Sequence, residues 1–216
     1  MSTPAVIQTL LRFEVLNRLP RTGFLMRGID PPESVGEHIF STTVLGALVL
    51  EKLKDEGVPV DGEKLLKMIA LHESGEVLTG DIPAPVTVIL GKAKKSELEL
   101  EASRKVLAGF PGLVSIVEEF EAGKSIEARI VKALDKLQMM IKVLLYESEG
   151  RGNMNDFWAY DGNFVKPGIP CLDGLVDSLR SLRGKLSMDI LNTTIGTTPD
   201  GSSVLENRET DDAVSK

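Results

Sequence analysis

Apolar residues return at spacings of three and four along most of the chain, and the strict alternation of a half-buried strand is scarce. The pattern predicts an all-α protein. A first helix is expected from Ala5 to Arg18, with Ile7, Leu10, Leu11, Val15 and Leu16 on its inner face. Pro20, Gly23, Gly28, Pro31 and Pro32 then break the chain into a loop. Ser34-Val35-Gly36-Glu37 reads as a capping box, so a second helix starts there and runs to about Glu56. Asp61 caps a third helix through Leu65, Met68, Ile69 and Leu71, reaching about Val77. Gly80, Pro83 and Pro85 suggest another loop. A fourth helix is expected over Ser96–Leu107, a short fifth over Leu113–Phe120, and a long sixth from the Ser125 cap to about Glu149. Residues 150–170 read as a polar, glycine-rich loop, and Leu172–Leu191 as the last helix. The sum is one helical domain over residues 1–192 with about six or seven helices.

Residues 193–216 are rich in Thr, Ser, Asp and Glu. Such a segment buries too little apolar surface to offset its ordering entropy, and it is expected to be a flexible tail. The remainder is ordinary globular material, 42% hydrophobic. The single cysteine, Cys171, rules out a disulfide scaffold and suits a reducing compartment. The net charge is −7, from 25 Lys and Arg against 32 Asp and Glu. A nucleic-acid polymer needs a basic face, so that class of partner is not expected. A small phosphorylated molecule remains open if a metal supplies the positive charge. The longest apolar run, Val44–Leu50, is far short of the roughly 20 residues that span a bilayer, and the N-terminus lacks a signal-peptide layout. A cytoplasmic protein without membrane attachment is the expectation.

There are only two histidines, and both stand in unusual surroundings. His38 follows the capping box by one residue. His72 and Glu73 end the apolar helical text of Leu65–Leu71, and Glu76 lies three residues on, on the same face as Glu73. Asp135 interrupts the apolar stretch Val131–Ile141, where a buried aspartate needs a partner. Two imidazoles and two carboxylates from three helices suit a first-row divalent ion. Each residue alone also has a structural reading: a packed core histidine, a solvated acidic face, a surface aspartate between Lys132 and Lys136. Met139 and Met140, at helical spacing after Asp135, fit a core, and Trp158 and Tyr160 fit loop anchors or a base-stacking surface.

His38, His72-Glu73 and Asp135 together resemble the signature of the HD-domain phosphohydrolases. The text from Arg21 to Arg27-Gly28, that from Pro32 to His38, and His72-Glu-Ser-Gly-Glu76-Val-Leu-Thr-Gly-Asp81-Ile-Pro83 resemble the 5′-deoxynucleotidase branch of that family. The resemblance covers roughly residues 8 to 190. One position departs from it: the family's second motif is His-Asp, and this chain has Glu73, whose carboxylate reaches one methylene further. The resemblance implies one divalent metal ion (cobalt, manganese, zinc or magnesium, a second ion being left open) on His38, His72, Glu73 and Asp135.

It also implies hydrolysis of a deoxynucleoside monophosphate to deoxynucleoside and phosphate. Glu76 would orient or deprotonate the attacking water, Asp81 would protonate or position the leaving oxygen, and Arg21 would hold the phosphate, with Arg27 doing the same or pairing structurally with Glu33. Lys92, Lys94 and Lys95 form a basic cluster beyond Asp81. They are either a solvated run or a triphosphate clamp, as in small HD enzymes, some of phages, that cleave dNTPs, including dATP-specific ones, to nucleoside and triphosphate. A third possibility is a non-catalytic nucleotide-binding module on the same fold. A homo-oligomer, dimer or higher, is expected.

Overall fold

In the computed structural model, which describes residues 3–185, the chain is built from α-helices. In order these are α1 (Thr3–Phe13), α2 (Thr22–Leu25), α3 (Val35–Asp55), α4 (Gly62–Leu71), α5 (Glu76–Thr79), α6 (Ala84–Leu90), α7 (Lys92–Val106), α8 (Pro111–Ala122), α9 (Ile126–Ser148), α10 (Asn155–Ala159) and α11 (Pro170–Leu182). Among the described residues there is no strand, only an isolated antiparallel bridge between Pro20 and Ser34.

The longest helix, α9, is the axis. It is apolar around most of its circumference, and such a helix belongs inside. α3, α4, α8 and α11 all pack on it. Val49 and Leu53 of α3, Leu65, Met68 and Ile69 of α4, and Ile130 and Leu134 of α9 form one core. Leu134 is fully buried there, and cutting it back to alanine would cost about 2–5 kcal/mol. α3 and α4 approach closely at Gly46, where an added Cβ would lie 2.4 Å from Ile69 Cδ1. That crossing brings the start of α3 beside the end of α4. Met139 and Met140 are buried in the core, as their spacing suggested.

Three side-chain caps formed as expected. Ser34 and Glu37 make the reciprocal capping box of α3, Asp61 accepts from Lys64 N–H, and Ser125 accepts from Ala128 N–H. Several expectations need correction. α1 ends at Phe13 rather than Arg18, because the chain coils into tight turns in which Leu16 N–H bonds to Phe13 O and Arg18 N–H to Val15 O. Of its expected inner face only Leu16 is buried; Ile7, Leu10, Leu11 and Val15 are exposed, and it is Phe13, at the end of α1, that packs against the core at Val106, Leu107 and Val117. α4 stops at Leu71, and the chain turns through His72–Gly75 before α5.

The expected loop after Gly80 contains α6, and α7 begins at Lys92 instead of Ser96. Pro85 sits in the first turn of α6 and Pro111 in that of α8, where a missing N–H removes no helical bond. The loop over 150–170 contains α10 and a 3-10 turn at Asp161–Asn163. The expected six or seven helices are therefore the long ones, and the additional helices are short. The end of the last expected helix, to Leu191, and the tail over 193–216 lie outside the described residues.

A candidate metal centre between α3, α4 and α9

Each member of the site is positioned by a helix end or a helix face. His38 lies in the first turn of α3, locked by the Ser34 cap, and its side chain is completely buried. His72 is the C-cap of α4, and Glu73 follows where the chain leaves the helix. Asp135 faces them from the middle of α9. The two imidazoles present Nε2 to each other at 3.3 Å. His38 Nε2 is 3.3 Å from Asp135 Oδ1 and 3.7 Å from Glu73 Oε1, and His72 Nε2 is 3.6 Å from Glu73 Oε1. One ligand atom from each of the four residues falls within 4.8 Å of all the others.

The outer nitrogens are already engaged. His72 Nδ1 is 2.6 Å from Ile69 O, and His38 Nδ1 is 2.5 Å from Gln138 Oε1. A carbonyl oxygen only accepts, so the Ile69 contact puts the His72 proton on Nδ1 and leaves Nε2 bare. Burial, opposed by Glu73 and reinforced by His38, holds His72 below the ordinary histidine value. Burial works against ionisation of Asp135, yet Lys136 and the two imidazoles outweigh it and keep the carboxyl well below the usual range. Glu73 is likewise depressed, burial being outweighed by His72 and Arg21. Asp135 Oδ1 has no hydrogen-bond partner. Converging nitrogens of two imidazoles and oxygens of two carboxylates, one oxygen orphaned, are a donor set that fits a divalent cation.

Around this set lie the residues that the resemblance marked. Glu76, first in α5, is buried, and burial together with Glu73 and Asp81 pushes its carboxyl up to about 10. Asp81 Oδ2 accepts from Thr22 N–H at 2.5 Å, and Thr22 Oγ1 donates to Asp81 O at 3.1 Å. This joins the Asp81 loop to the start of α2, where Arg21 Nη1 reaches Glu73 Oε1 at 3.1 Å. Burial disfavours the Arg21 charge, but Glu73, Asp135, Asp81 and Glu76 overcome it and hold the guanidinium more firmly protonated than usual.

Arg27 does not join the cluster. It turns toward α10, pairing with Asp156, lying 5.2 Å over the Phe157 ring and donating to Gly23 O. Its partner is thus Asp156 rather than Glu33. The three lysines make different contacts. Lys92 reaches Tyr160 Oη at 3.5 Å, Lys94 is exposed, and Lys95 feels Glu73 and Glu76 while bound to Glu99. Trp158 anchors its loop through Nε1 to Glu147. Sequence reasoning missed Gln138 and Glu33 behind His38. A polar residue three positions after Asp135 inside apolar text was the available signal.

Known proteins give the family of the chain. The HD domain family matches residues 13–169. The chain is 31% identical over 178 residues to a zebrafish (Danio rerio) protein named 5′-deoxynucleotidase HDDC2, covering 79% of this chain and 84% of that one. It is 31% identical over 186 residues to the human (Homo sapiens) protein of the same name, covering 83% and 86%. A solved structure of a conserved hypothetical protein from Pyrococcus furiosus superimposes with a TM-score of 0.72 at 32% identity, over 82% of this chain and 99% of that one. The four-residue cluster, the helices that carry it and these matches agree: the chain belongs to the HD domain family.

Proposed function

We propose that this protein is a metal-dependent 5′-deoxynucleotidase, converting a deoxynucleoside monophosphate and water to deoxynucleoside and phosphate. The observation that carries the reading is the pair of Nε2 atoms at 3.3 Å with Glu73 and Asp135 beside them. Relatives at 31% identity named 5′-deoxynucleotidase supply the substrate class. His38, His72, Glu73 and Asp135 would hold one divalent ion, with cobalt, manganese, zinc and magnesium as the candidates. When bound, that ion supplies Lewis-acid polarisation of the phosphate and acidification of water.

The chain's own groups do the rest. Arg21 binds the phosphate through charge-assisted hydrogen bonds, and Lys95 adds a second positive charge from α7. Glu76 orients the attacking water and, in its ionised form, takes its proton. Asp81, held by Thr22, positions or protonates the leaving 5′ oxygen. Residues 1–192 act as one HD-type unit, and the protein works in the cytoplasm as a homo-oligomer. The divergence of Lys92 and Lys94 from Lys95 favours a monophosphate over a triphosphate.

The test is a panel of dNMPs, NMPs and dNTPs with each candidate metal, products identified by mass. Release of inorganic phosphate from dNMP, with poor turnover of the ribonucleotide, is expected. Intact triphosphate from dNTP, with no turnover of dNMP, would overturn the assignment in favour of a triphosphohydrolase. Binding without turnover of any nucleotide would mark a binding module.

A further inference from the structure

Behind the Nε2 atoms runs a buried chain of hydrogen bonds to which the reaction assigns nothing. His38 Nδ1 is 2.5 Å from Gln138 Oε1, and Gln138 Nε2 is 3.3 Å from Glu33 Oε2. All three side chains are buried. An amide can be turned end for end, so its neighbours decide its direction. A carboxylate has only acceptors, so the NH₂ of Gln138 must face Glu33 and its C=O must face His38. That oxygen in turn only accepts, so a His38 proton sits on Nδ1, and in the neutral ring Nε2 is the bare nitrogen. The charge at one end of the chain thereby fixes a proton at the other.

Glu33 is itself held. Its N–H donates to Tyr146 Oη at 2.8 Å, and Lys142 Nζ lies 3.9 Å from its carboxylate. Its carbonyl accepts from Arg21 N–H at 3.0 Å. Arg21 then reaches Glu73, which faces His38 Nε2, and the circuit closes. His72 needs no such device, because the main-chain carbonyl of Ile69 fixes it.

We infer that Gln138, oriented by Glu33, is a positioning residue that sets the tautomer of His38 and keeps its Nε2 bare for the metal before any ion arrives. The inference deepens the proposed metal centre and rests on it.

With two histidines in the chain, protein labelled with ¹⁵N in the imidazoles and freed of any histidine tag yields two tautomer signatures, His72 serving as internal control. Spectra are taken on chelator-treated protein about two units above the ordinary histidine value of roughly 6.5. Manganese affinity is measured separately by calorimetry. In the unaltered protein both rings should carry the proton on Nδ1. Gln138→Met, similar in volume but without the hydrogen bonds, should shift His38 toward the Nε2-protonated form, leave His72 unchanged and weaken manganese binding by about 10–100-fold. Glu33→Gln, nearly isosteric, removes the rule that directs the amide and should give mixed His38 tautomers, which serves if Gln138→Met does not fold. Combining Glu33→Gln with Gln138→Glu moves the carboxylate one place along the chain and should restore the Nδ1 proton. His38 remaining Nδ1-protonated in both single variants, or manganese affinity unchanged despite a shifted tautomer, would overturn the inference. Tautomers that respond as expected in a protein that binds no metal would sink the metal centre and leave the relay standing.

Discussion

Glu76 is 4% exposed, and its Oε2 has no hydrogen-bond partner. Its carboxyl is raised from 4.5 to about 10, so the folded metal-free protein keeps a proton that the unfolded chain releases. Stability of that form therefore falls as pH rises between those two values. Glu76→Gln should flatten this slope and raise the melting temperature at neutral pH, by about 2–4 °C for each ~1 kcal/mol relieved. Thermal melts across pH with a chelator present would show it, and parallel profiles for the two proteins would refute it. With metal added, the same variant should retain the ion and lose about 10²–10⁴-fold in turnover, the usual range for a general acid–base group. Glu73→Asp withdraws the carboxylate that Arg21 now reaches at 3.1 Å; metal binding should survive with a changed order of preferred ions, as competition titrations would reveal. His38, His72, Glu73 and Asp135 were legible because ionisable residues in apolar helical text demand a reason. Gln138 gave only a faint signal, a polar residue in apolar text, and its role takes form when His38 and Glu33, 100 and 105 positions away, are brought to it.

Between α4 and α5 the backbone presses on α7. A Cβ on Gly75 would stand 2.4 Å from Glu99 O. Gly75→Val should thus lever the His72–Glu76 turn away from α7, lowering both melting temperature and metal affinity. Gly112, in the first turn of α8, has open space around it and no positive φ. Gly112→Ala should instead stabilise by about 0.4–1 kcal/mol through the unfolded chain. Denaturant titration of the pair separates a packing effect from a loss of glycine as such. The helices whose starts carry a Ser or Asp cap could be read from sequence, since the cap and the periodic text behind it agree. α6 could not, because Pro83 and Pro85 look like breakers until the chain is seen to turn just before them. The extent of α1 was overread: apolar spacing reports which side chains share a face, not whether anything covers that face.

At the scale of the molecule, Ile7, Leu10 and Leu11 on α1 and Phe40, Val44 and Leu48 on α3 are exposed apolar side chains. A homo-oligomer that covers them is the expectation, and Leu11→Asp with Phe40→Asp should lower the mass seen by light scattering if it is met. Removing residues 192–216, beyond the family match over 13–169, should leave kcat/KM unchanged. The four proposed ligands come from the start of α3, the turn after α4 and the middle of α9, and no short segment holds more than the pair His72-Glu73. An ion seated there would lace α3, α4 and α9 together and have little to grip in the unfolded polypeptide. At a hundred times its dissociation constant such an ion adds about 2.7 kcal/mol to folding. The lifetime of the protein would then track the supply of its metal: a cell short of the ion would lose not only the activity of each molecule but, through proteolysis of opened chains, the molecules themselves.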